Sequence, residues 1–270
     1  MRVKTFRHSG NLGDIVYSLP AVKALGGGIF YVDYRTQYAE KPPLGRETAL
    51  MMAEFLETQD YVERAALYEG QPVDYDLDRF RDKAVPICIL NLIKSHADNL
   101  AGMLLGSPAK ELRQLLIPNL EVDLPQCHWD SAGLAGQADL SAPWIASVSK
   151  KVIADIVVCK TPRYAGKLDW FSLKEYSSRS IFVGLEAEWR NFRKDYFDIG
   201  FYLVDSLLDF AQVIAGAKLY IGNQSFGLAL ADAMLIPRVA DLSNTIPIRI
   251  PASKAHRTLT RNIIESYVRQ

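Results

Sequence analysis

Along the chain, short apolar runs alternate with stretches in which apolar residues return every three or four positions. Val3 to Phe6 predicts a strand, the polar loop His8-Ser9-Gly10-Asn11-Leu12-Gly13-Asp14 follows, and Leu19, Val22 and Leu25 fall on one face of a helix. Gly26-Gly27-Gly28 ends that helix. Ile29-Phe30-Tyr31-Val32 then has the β-branched and aromatic content of a buried strand, completing a β-loop-α-β unit.

Helical patterns are expected over about Glu47 to Glu57 and about Ala109 to Leu116, with a strand at Ile87 to Leu90 between them. From Leu120 to Ser149 the pattern weakens among Pro125, Gly133, Gly136 and Pro143, as in an interdomain connection with little structure of its own. Alternation resumes with strands at Val152 to Val158, Ile181 to Val183 and Leu219 to Ile221. A last helix, about Ala252 to Val268, carries Leu259, Ile263, Ile264 and Tyr267 at helical spacing. No period of 20 to 50 residues repeats. The expectation is an α/β protein: residues 1–145 and 146–252 as two units with parallel sheets, and 253–270 as a helix packing back on the first.

Composition narrows this little. At 270 residues with 49% hydrophobic and 23% charged residues, the chain has the balance of an ordinary globular protein. Lys and Arg number 31 and so do Asp and Glu, so there is no broad nucleic-acid-binding charge signature and any anion must meet a local site. Cys88, Cys127 and Cys159 show no metal spacing and fit buried thiols in a reducing compartment. With no signal-like apolar region after Met1 and no transmembrane segment in the sequence, a cytoplasmic location is expected.

Three places could carry chemistry. In Ser9-Gly10-Asn11-Leu12-Gly13-Asp14 a strand hands over to a helix, and glycines there let backbone approach a ligand while free N–H groups face an anion. Asp14 either caps that helix or serves as a general base toward an acceptor hydroxyl. The turn Asn223-Gln224-Ser225-Phe226-Gly227 follows the Leu219 to Ile221 strand, where Ser225 is placed to cap a small-residue helix and form an anion or sugar cradle, or simply to make an ordinary strand-turn-helix. Lys160, Thr161 and Arg163 follow the strand that ends near Val158, where ligands of open α/β sheets sit; the two cations are natural diphosphate partners or else a solvated basic turn. Gly184 and Glu186, just past Val183, complete the donor-binding candidates. His8, His96, His128 and His256 show no metal-ligand spacing, and His8 alone adjoins a candidate loop. Ser9 and Ser225 lack a GxSxG context, which argues against a serine hydrolase.

Gly13-Asp14-Ile15-Val16-Tyr17-Ser18-Leu19-Pro20-Ala21 resembles the N-terminal motif of glycosyltransferase family 9, the ADP-heptose:lipopolysaccharide heptosyltransferases, and the turn at 222–227 with its helix and Pro237 resembles that family's C-terminal motif. The resemblance is strong over about 45 residues. It implies a GT-B architecture, two Rossmann-like domains facing across a cleft, with the donor nucleotide mainly against the second. It further implies metal-independent, inverting transfer with no cofactor, from a nucleotide-diphosphate sugar to a glycan, glycolipid or other hydroxyl-bearing acceptor. The family's catalytic aspartate falls on Asp14. Gln224-Ser225-Phe226 stands where the family has Asp-Thr-Gly, and Ala229 where it has a histidine, so the acid and histidine that meet donor sugar and phosphate have no counterpart here.

Two other readings remain open. Asp33, about 20 residues beyond Gly13, stands where a dinucleotide-dependent oxidoreductase has its ribose-binding acid, although a GxGxxG register puts His8 at the first glycine. A noncatalytic nucleotide- or sugar-binding module of the same fold accounts for Gln224 and Ala229.

Overall fold

The computed structural model describes residues 2–37, 43–105, 120–164, 166–243, 248 and 255–269. Its first sheet is wholly parallel. Strands β1 (Lys4–His8), β2 (Gly28–Val32), β3 (Val62–Leu67) and β4 (Tyr75–Asp76) lie in the order β3-β2-β1-β4, with helices α1 (Leu12–Ala24) and α2 (Arg46–Leu56) crossing between the first three. The second sheet contains β5 (Ile156–Cys159), β6 (Ser180–Val183), β7 (Gly200–Tyr202), β8 (Leu219–Asn223), β9 (Arg238–Asp241) and β10 (Ala255–His256), ordered β10-β9-β8-β5-β6-β7 and again parallel. In both sheets the strand order reverses direction beside the first strand, between β1 and β4 and between β5 and β8. Such switch points open a crevice at the carboxyl ends of the strands.

The second sheet is covered on both faces, which explains its continuous apolar strands. Ile156, Val158, Leu219 and Ile221 face one core with Trp170, Phe182 and Phe192. Val157, Cys159 and Tyr220 face the other, which runs on without a break through Leu228 and Ala229 to Leu19, Phe6 and Phe30 of the first sheet. Helix α6 (Leu207–Gly216) lines this second core, helix α7 (Phe226–Ala233) packs on α1, and the two sheets share one core.

Helix α1 survives an internal proline. Pro20 has no N–H to give the Val16 carbonyl, which would otherwise be left empty in the core. The indole Nε1 of buried Trp144 donates to that carbonyl at 3.1 Å, and Trp144 is itself fixed by Tyr61 Oη donating to its carbonyl at 2.5 Å. At the helix end, Gly27 has φ +72°, and a side chain there would strike the Tyr61 carbonyl.

Several expected elements differ. Ile87 to Leu90 is not a strand but lies within α3 (Arg81–Leu105), a helix too long to be told from a strand by four apolar residues. The segment expected to lack structure holds α4 (Leu124–Ser131), in which Pro125 sits in the first turn where no N–H is needed, and buries Trp144 and Ile145. The second sheet begins at Ile156 rather than Val152, and Val152 is exposed. The C-terminal helix is shorter, α8 (Arg261–Val268), and its Ile264 and Val268 enter the core of the second sheet, while Arg257 just before it pairs with Glu121 of the first unit. The helix expected at Ala109 to Leu116 lies outside the described residues.

Candidate active site

The loop after β1 is held from below. His8 is fully buried, and its Nδ1 accepts a hydrogen bond from the Gly10 amide at 2.8 Å. A side chain at Gly10 would collide with the His8 ring, so this position has room for glycine alone. Ser9 commits its amide to Asp78 Oδ1 at 3.0 Å and its hydroxyl to Asp78 Oδ2 at 2.6 Å. Asp78 lies in a 3-10 turn after β4, across the first switch point, and Arg81 binds it at 2.5 Å. Burial pushes the Asp78 carboxyl up, but His8, Arg81 and the two Ser9 bonds outweigh it and leave a pKa of about 2. Burial lowers the pKa of His8 against the pull of Asp78 and Asp14, and lowers that of His128, stacked on Phe80 at 4.1 Å, much further.

Asp14 is the third residue of α1. Its Oδ2 accepts from the Asn11 amide at 3.3 Å, so the carboxylate does cap the helix start, while Oδ1 has no hydrogen-bond partner among the described residues. Capping and chemistry are thus compatible in one side chain.

On the opposing side, Asn223 ends β8 wholly buried and ties two loops together. Its Oδ1 accepts from the Thr161 amide at 2.9 Å, and its Nδ2 donates to the Thr161 carbonyl at 2.7 Å and the Tyr164 carbonyl at 3.1 Å. This stapling presents Arg163, an exposed side chain with no carboxylate partner among the described residues.

Between these loops lies a cavity of about 550 Å³. Ser9, Gly10, Asn11, Gly13 and Asp14 line it from the first sheet; Arg163, Tyr164, Gln224, Ser225 and Phe226 line it from the second. The starts of α1 and α7 meet here: a Cβ built on Gly13 would stand 3.7 Å from the Ser225 carbonyl and from Ala229.

Other predicted residues fall elsewhere. Asn223 and Thr161 are consumed in the staple and do not line the cavity. Lys160 places its Nζ 5.6 Å from the Trp170 ring centre and 5.9 Å from that of Tyr196, away from the cavity. Gly184 turns the chain after β6 at φ +153°, Glu186 pairs with Arg190 at 2.6 Å on the exposed start of α5 (Glu186–Asp195), and Gly227 lies inside α7 against Tyr220. Sequence reasoning missed Tyr17, Thr36, Phe80, Arg81 and Tyr164, all on the cavity wall. Only the Asp78/Arg81 spacing of three gave a local signal.

Asp33 is unavailable to a ribose. It is 2% exposed, receives bonds from Arg7 at 2.6 Å and Thr36 Oγ1 at 2.7 Å on Oδ2, and from the Arg35 amide at 2.8 Å on Oδ1. Among the described residues, no group of three or more His, Cys, Asp or Glu side chains is placed to hold a metal ion, and no helix is long and apolar enough to cross a membrane.

No protein-family model and no curated protein matches the sequence. Among solved structures, the glycosyl transferase family 9 protein from Veillonella parvula DSM 2008 matches with a TM-score of 0.51 at 9% identity, covering 100% of this chain and 91% of that one. E. coli heptosyltransferase WaaC with ADP-2-deoxy-2-fluoro heptose gives a TM-score of 0.46 at 14% identity, with 98% of each chain covered. E. coli ADP-heptose lps heptosyltransferase II gives 0.49 at 13%, covering 98% and 97%. With its two parallel sheets across a crevice, this chain has the GT-B fold, in the form seen in the Veillonella family 9 structure.

Proposed function

We propose that the chain is a metal-independent glycosyltransferase that moves a sugar from a nucleotide-diphosphate sugar to a hydroxyl acceptor. The observation that carries this reading is the convergence of Asp14, the start of α7 and Arg163 on one cavity at both switch points. In the step proposed, the acceptor oxygen forms a bond to the anomeric carbon as the bond from that carbon to the diphosphate oxygen breaks. The acceptor proton passes to Asp14, and the released electron pair stays on the diphosphate, whose charge Arg163 and the first amides of α7 stabilise. One base and one displacement invert the anomeric centre.

Asp14→Asn keeps the shape and the cap while removing the base. Turnover should fall about 10²- to 10⁴-fold with donor affinity little changed. Full turnover in that variant would remove Asp14 from the role. The second reading is a binding module without turnover, favoured by Ala229, which is fully buried beside Gly13 where family 9 has a histidine. Donor binding with no transfer to any acceptor would support it.

A further inference from the structure

The cavity has two chemically different walls. Asn11, Asp14, Arg163, Tyr164, Gln224 and Ser225 make a polar one. The other is built from Phe80, Ala84, Val85, Val122, Leu124 and Ile248. Arg81, set among them, is turned to Asp78 and packs its guanidinium 4.8 Å from the Phe80 ring centre. The apolar wall also leaves the cavity. Val85, 42% exposed, begins a run on α3 that continues through Ile89, Leu92 and Ile93, 48% to 60% exposed, over about 12 Å of helix.

Resting on the transferase reading, we propose that the acceptor is an alcohol whose hydroxyl sits directly on a hydrocarbon chain, not a hydroxyl of a glycan. A hydroxyl brought to Asp14 lays the remainder of its molecule against this wall and along α3. A glycan would press further hydroxyls against carbon, each unpaired one weakening binding about tenfold. A methylene in the same place strengthens binding about fourfold. The polar wall, with exposed Arg163 lying over the Tyr164 ring, suits the diphosphate.

The test uses the full chain, 1-alkanols from hexanol to decanol, maltotriose as the polar counterpart, and a panel of nucleotide sugars, all by calorimetric titration. Alkanol dissociation constants should fall about fourfold per added methylene, maltotriose should not bind, and Val85→Asp should weaken decanol more than tenfold. Val85 is exposed, so that variant should melt like the parent; Cys88→Asp, on the same wall, is the second variant. Maltotriose binding without decanol, or decanol binding indifferent to both substitutions, overturns the proposal. Nucleotide sugars bound by parent and Val85→Asp alike, with no alkanol bound, would overturn it while the transferase reading stands. Alkanols bound with no nucleotide sugar bound would overturn the transferase reading, and the acceptor assignment with it.

Discussion

Tyr17 on α1 donates its hydroxyl to Asp232 on α7 at 2.5 Å, joining positions 215 residues apart inside the shared core. Asp232 is also ion-paired with Arg238 at the start of β9, and both charged side chains are wholly buried. Burial raises the Asp232 carboxyl to about 6 against the opposing pull of Arg238 and the Tyr17 bond. The contact holds the helix carrying Asp14 against the helix that follows Ser225.

Tyr17→Phe leaves Asp232 short of a donor while changing little volume. A loss of about 1–3 kcal/mol in stability is expected from chemical unfolding. In a double-mutant cycle with Asp232→Asn the two changes should couple by at least about 0.5 kcal/mol. Additive effects would show that the bond holds nothing.

Trp144→Phe tests the answer to Pro20. The Val16 carbonyl loses its donor, and about 1–3 kcal/mol should go with it. Restoring the helical N–H with Pro20→Ala in the same chain should recover part of that loss. If the double variant is no more stable than Trp144→Phe alone, the indole is not compensating for the proline.

Arg163→Gln should weaken a nucleoside diphosphate about tenfold or more, the scale of a lost charge-assisted hydrogen bond. Lys160→Gln, at the Trp170 and Tyr196 rings, should change that affinity less than about twofold, well inside the tenfold scale. Isothermal titration with the two variants decides, and the reverse ranking would move the diphosphate away from the cavity.

Stability should fall as pH drops through about 6.5. Burial holds the pKa values of His8 and His128 below the ordinary histidine value of 6.5, so the unfolded chain binds protons first and gains up to about 1.4 kcal/mol per pH unit from each. Asp232 acts in the opposite sense: raised from 3.8 to about 6, it binds its proton first in the folded state and offsets one histidine between about pH 6 and 4. Asp78, at about 2, keeps its contribution until pH falls below 3.8. His128→Phe, filling the same place on Phe80, should flatten the slope of unfolding free energy between pH 6.5 and 5. An unchanged slope would mean that His128 does not stay neutral.

The sequence was most legible where local chemistry and global fold agree. Ile181 to Val183 and Leu219 to Ile221 are doubly covered strands, so burial alone writes them in apolar residues, while Ile29 to Val32 buries Phe30 and Val32 and is betrayed by its β-branched and aromatic run. Strand β3 was invisible because its central Glu63 and Arg64 are exposed, and β9 because it opens on Arg238 and closes on Asp241, polar residues whose burial depends on the rest of the fold. The loops bearing Asp14 and Ser225 could be read from their glycines and their place between strand and helix. Tyr17, Phe80 and Tyr164 could not, since their place in the cavity follows from how two sheets meet and not from any neighbour in the chain.

Asn223 gives the second sheet's share of the cavity its character. Three hydrogen bonds from one buried amide hold the Thr161 to Tyr164 backbone and the Gln224 turn as a single rigid jaw. A phosphate arriving there meets a backbone already in place, and little chain entropy is lost on capture.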